Sequence, residues 1–147
     1  MFDLNDPRDL HKIILSVYDE YMDNPTERDF IFLVLGFSHL REWICHSKHS
    51  DIVKKKNDGI PLSSEEKFFD EIYTIPEFQV VKALCNSAKH RVSRGELPTS
   101  KIEGFRTGLG KTGDKLNQLY FLIDGKDSRD YFNKCVQKYN DWFSSCD

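Results

Sequence analysis

FIFLVLGFSHLREWICHS, residues 30–47, is the stretch on which the fold turns. Leu33, Phe37, Leu40 and Ile44 recur at the 3.6-residue period of an α-helix and so share one face. The other apolar residues nearly encircle the first half of the stretch, which predicts a central helix buried on most sides. Asn24-Pro25 breaks what precedes it, and Thr26 stands where an N-cap is needed. With its neighbours, this helix predicts a mainly α fold: four antiparallel helices, a small β-hairpin and a C-terminal helix, in one domain over residues 1–147.

Upstream, Leu10, Ile13, Ile14, Val17, Tyr18 and Tyr21 mark a first helix from Asp6 to about Asp23, with Pro7 in its first turn. Downstream, residues 51–64 hold three consecutive lysines, Gly59 and Pro61, and read as an exposed connection. Ser63 with Glu66 has capping-box spacing ahead of a short third helix, and Thr74 with Glu77, around Pro76, opens a fourth that ends near Arg91. Five of the eight glycines lie between Gly95 and Gly113, so helix is not expected there. The run QLYFLIDG fits helical spacing, yet its aromatic and branched residues before Asp124-Gly125 favour a hairpin of roughly 101–107 with 117–123. Tyr131, Phe132, Cys135, Val136, Tyr139, Trp142 and Phe143 then define a last helix behind an Asp127/Ser128 cap.

The composition excludes several classes. Of the 147 residues 39% are hydrophobic, and 11 are Phe, enough for a filled core and too many for a disordered chain. No apolar run approaches the ~18 residues of a membrane span, and the acidic N-terminus is unlike a secretory signal, so a soluble cytoplasmic protein is expected. Cys45, Cys85, Cys135 and Cys146 lack C-x-x-C spacing and read as free thiols. Net charge is −3, but it is uneven: residues 82–115 carry eight basic and three acidic groups. Within and beside that glycine-rich stretch, Lys89, His90, Arg91, Arg94, Arg106 and Lys111 are the candidates for gripping a phosphate backbone.

GFRTGLGKTG, residues 104–113, imitates a phosphate loop. The spacing fails, because the position that should be the first glycine is Phe105, and no βαβ unit surrounds it. In HLREWICHSKH, residues 39–49, His39, Glu42, His46 and His49 would fall within about 80° on an ideal helix. Together with His90 from the fourth helix they are the only candidate metal ligands; an ordinary polar stripe is the competing account, and no cofactor is expected.

Arg41-x4-His46 near the end of a long helix, in an all-helical layout, resembles the HEPN superfamily, many of whose members are metal-independent ribonucleases in toxin, abortive-infection and CRISPR systems. The resemblance covers this motif and the layout of residues 7–91, and at the position where the family usually has Asn, Asp or His this chain has Glu42. It implies a homodimer whose interface joins Arg41 and His46, with His46 as the base and Arg41 stabilising the phosphorane. HLREW combined with Asn86-x-x-Lys89-His90 is also similar to small bacterial and phage proteins. Two functions therefore stand side by side. One is an accessory or defence-related protein that acts by binding a macromolecule, a protein before RNA; the other is a ribonuclease using Arg41 and His46, and a metal-binding helical protein built on the His39/Glu42/His46/His49 stripe is the further alternative.

Overall fold

Asp6 opens the first helix by a reciprocal cap: its carboxylate accepts from the Arg8 and Asp9 amides, and the Asp9 carboxylate accepts from the Asp6 amide. The structure, a computed structural model, describes residues 4–90 and 97–147, His90 through its backbone alone. Helix α1 (Pro7–Asp23) is followed by α2 (Glu27–Ile44), whose Thr26 hydroxyl accepts from the Asp29 amide. The short connection folds α2 back on α1. They meet closely at Gly36, where a Cβ would stand 3.1 Å from Ile14 Cγ1.

Helix α2 ends earlier than its polar tail suggests. Cys45 is extended, at φ −133° and ψ 113°, so His46 and Ser47 leave the helix. The chain then forms α3 (His49–Asn57), where an exposed connection was expected. The reason is one residue: Ile52 is fully buried against Cys45 and Phe69, with Leu62 beside them, and this anchors a turn whose surface is otherwise lysine. Lys54, Lys55 and Lys56 lie in its last turn, where the helix dipole favours cations. Gly59, at φ +68°, closes it, with the Gly59 and Ile60 amides donating back to the Lys56 and Lys55 carbonyls.

Helix α4 (Ser64–Ile72) carries the expected Ser63/Glu66 capping box. Helix α5 (Pro76–His90) begins at the expected proline, but the Thr74 hydroxyl donates to the Glu71 carbonyl at the end of α4. Strands β1 (Thr99–Glu103), β2 (Leu119–Ile123) and β3 (Lys126–Asp127) form an antiparallel sheet in that order, with Thr99 opposite Ile123 and Glu103 opposite Leu119. The expected hairpin is thus present, and a third, two-residue strand extends it. Asp124 and Gly125 both have positive φ, as a two-residue turn between β2 and β3 requires. Helix α6 (Ser128–Ser145) follows, capped by the Asp127 carboxylate.

The architecture is therefore mainly α with a small sheet, its six helices counted among the described residues. Helix α6 packs on α5 and α1 and reaches α2 through Tyr139 and Phe132, and the core fills the space between them with Tyr21, Phe37, Phe78, Phe132 and Tyr139, each fully buried. Side chains of this size contribute about 1.5–3 kcal/mol each on burial. The two tyrosines keep their hydroxyls bonded: Tyr139 donates to the Phe37 carbonyl at 2.5 Å, and Tyr21 lies 2.6 Å from Ser128 Oγ. All four cysteines are free, and among the described residues no helix is long and apolar enough to cross a membrane.

Candidate interaction surface

Arg41 lies on the inner side of α2. Its Nε and Nη2 both donate to the Phe69 carbonyl, at 2.8 and 2.6 Å, and its guanidinium stacks 3.5 Å from the Phe69 ring centroid. Tyr73 and Phe78 stand further out around it. Only 7% of the residue is exposed, and burial pulls its pKa below the usual arginine value. The geometry is that of a clamp: the cation binds the last turn of α4, where the exposed C=O groups concentrate negative dipole, and so ties α4 to α2.

His46 stands apart from this arrangement. Because α2 stops at Ile44, His46 is an exposed residue beyond the helix end, lining a shallow groove with Glu42, Trp43 and residues 4–7. The two residues of the Arg41-x4-His46 motif are therefore held differently, Arg41 packed inward and His46 facing solvent.

The same helix end dissolves the histidine stripe, since the angular argument holds only while α2 continues. His39 Nδ1 and Glu42 Oε2 remain partners at 2.9 Å, and Lys82 approaches Glu42 Oε1 at 3.4 Å. Burial alone would raise the Glu42 pKa, but the His39 bond and the Lys82 charge outweigh it and hold the carboxyl below its usual range. His49 opens α3 instead, and the His90 side chain lies outside the described residues. Among the described residues no three His, Cys, Asp or Glu side chains converge as a metal site.

The basic stretch is partly neutralised by tertiary pairing. Lys82 meets Glu42, Lys101 meets Glu27 at 3.4 Å, and Lys111 meets Asp130 at 2.6 Å. Lys89 and Arg106 are exposed, while Arg91 and Arg94 lie outside the described residues. The loop that imitates a phosphate site borders a cleft of about 650 Å³, lined also by Glu77, Asp124, Asp130, Lys126 and Lys134. Its charges alternate in sign, so no strong field of one sign gathers there.

Two features escaped sequence reasoning. One is a buried ion network: Arg129, 2% exposed, forks onto Asp114 Oδ1 and Oδ2 at 2.8 and 3.0 Å and onto Asp127, and Tyr120 donates to Asp114. It fastens the 104–118 loop to the start of α6, and its only sequence signal was the Asp127 cap. The other lies on α2, whose first half is not buried all round. Leu33, Val34 and Phe37 face inward, but Ile31 is 46% and Phe32 37% exposed, with half-buried Leu35 one turn on. Ile31 and Phe30 also border a groove of about 310 Å³ whose opposite wall is Thr99, Ser100 and Lys101 of β1.

Fold and surface together define a mainly helical protein with a small antiparallel sheet and an apolar outer face on its central helix. No family model, no curated protein and no solved structure matches the chain.

Proposed function

We propose that this protein acts by binding a macromolecular partner, and that the partner is a protein seated on the outer face of α2. The observation that carries this reading is the exposure of Ile31 and Phe32 beside Leu35, at i, i+1 and i+4 and hence adjacent on one helix surface. Scattered apolar residues are ordinary on a surface. Neighbouring large ones on a helix whose inner face is already satisfied by the core are a reason to expect an occupant, because covering them releases about 25 cal/mol per Å². The inward use of Arg41 favours this reading over the ribonuclease, since its fork is already committed to Phe69.

Affinity capture from source cells with wild type, Phe32→Asp and a control, Ile60→Asp, tests it. Proteins retained by wild type and control but released by Phe32→Asp are the expected outcome; an identical set on all three overturns it. Incubation with a mixed RNA pool in excess EDTA tests the competing activity. No cleavage is expected, and cleavage that disappears in His46→Ala establishes the ribonuclease instead.

A further inference from the structure

We propose that the free edge of β1 pairs antiparallel with the β1 of a second copy of this chain, in the register that sets Lys101 of each protomer opposite Glu103 of its partner. This goes beyond the α2 surface, because it concerns a different element and a different occupant.

The backbone decides which groups are available. The Asp124 amide donates to the Pro98 carbonyl, and the Gly104 amide to the Gln118 carbonyl, both at 2.8 Å. Antiparallel ladders alternate, so Ser100 and Ile102 also turn their N–H and C=O toward β2, and Thr99, Lys101 and Glu103 turn theirs away. Strand β1 is the outer strand of the sheet, and among the described residues nothing bonds to those outward groups. Such an edge is a template for another strand.

Charge then selects the occupant and the register. A single edge lysine ordinarily repels an incoming strand. Here Glu103 follows on the same face, 4.0 Å from the Lys101 Nζ, so β1 carries both signs in alternation. Two-fold pairing must set outward groups against outward groups. Centring it on Lys101 opposes two lysines, and centring it on Glu103 opposes two glutamates. Centring it on Ile102 opposes Lys101 with Glu103 twice and stacks the two isoleucines, so the strand is complementary to itself in that register.

Sedimentation equilibrium from about 1 μM to about 1 mM reads the association. Wild type should pass from 17.2 kDa to twice that mass. Lys101→Glu should raise the dissociation constant about tenfold or more, and Lys101→Glu with Glu103→Lys should restore it. A chain that stays monomeric, or a dimer indifferent to Lys101→Glu, overturns the proposal. Because Lys101 also meets Glu27, a second measurement leaves the charges intact: in a Cys146→Ser background, oxidation should cross-link Ile102→Cys into dimers and leave Ser100→Cys monomeric. Equal cross-linking of both excludes the register. Phe32→Asp should leave the dimer intact, so failure here and failure of the α2 surface are read separately.

Discussion

The Arg41 guanidinium carbon lies over the ring of Phe69, 3.5 Å from its centroid, while the same side chain donates twice to the Phe69 carbonyl. One residue of α4 thus receives two of the guanidinium's N–H donors and one face of the cation, with no carboxylate hydrogen-bonded to it among the described residues. Removing the fork leaves the Phe69 carbonyl without these bonds inside the core. Arg41→Ala should therefore cost about 2–4 kcal/mol in urea unfolding, and Arg41→Lys roughly half as much, since lysine keeps the charge but loses the planar fork.

Asp114 gives the fold an acid-sensitive joint. Its hydrogen bonds from Arg129 lead the effects that hold its pKa at about 2, against an ordinary 3.8, outweighing burial, which acts the other way. A carboxylate depressed in the folded state contributes stability that is full above its unfolded pKa and lost as pH falls through the folded value. The loss should amount to about 2 kcal/mol between about pH 4 and pH 2. Unfolding free energies across that range should lose most of this slope in Asp114→Asn, which will also be less stable at neutral pH.

His11 acts at milder acidity. It stacks on Phe143 with ring centroids 4.3 Å apart, and its Nε2 lies 3.0 Å from Asn140 Oδ1. Burial lowers its pKa below 6.5, the Asn140 bond opposes this, and the Arg8 charge adds to the lowering. The fold therefore prefers the neutral ring, so this contribution is complete above about pH 6.5 and declines as pH falls toward the lowered folded value. Melting temperatures measured from pH 7.5 to pH 5 should fall in wild type and fall less in His11→Gln.

Thiol reactivity should divide the four cysteines sharply. Cys85 and Cys135 are fully buried, Cys45 is 5% exposed, and Cys146 is open near the C-terminus. Burial also raises the Cys135 pKa far above that of a free thiol, which keeps it protonated. A chromogenic disulfide reagent should titrate one thiol rapidly in the native protein and four after unfolding. Cys146→Ser should abolish the rapid phase.

Much of the helical framework was legible because its signals are local. Pro7 in a first turn, Thr26, Ser63 with Glu66 and Asp127 each mark a helix start within a few residues, and the apolar period names the inner face of each. Helix α3 was not legible, because one anchor, Ile52, outweighs a surface of lysines only after Cys45 and Phe69 have come together around it. The candidate site failed to read out for a related reason. Extending the α2 period past Ile44 placed His46 and His49 on a stripe with His39, but the chain leaves the helix there.

Short-range chemistry, hydrogen-bonded turns and side-chain period, was enough to establish a mainly α chain with a hairpin, expected at roughly 101–107 with 117–123 and formed by Thr99–Glu103 with Leu119–Ile123. Which surfaces were covered depended on contacts far apart in the sequence. The same apolar alphabet that put Leu33 and Phe37 in the core left Ile31 and Phe32 at the surface, because the described elements packed on α2 leave that side open and β1 only borders it across a groove. Arg41, polar by composition, went inside because the Phe69 carbonyl and ring arrived from 28 residues away to receive it. Burial is a property of neighbours, and the neighbours of α2 were chosen by the packing of α1, α4, α5 and α6 around it.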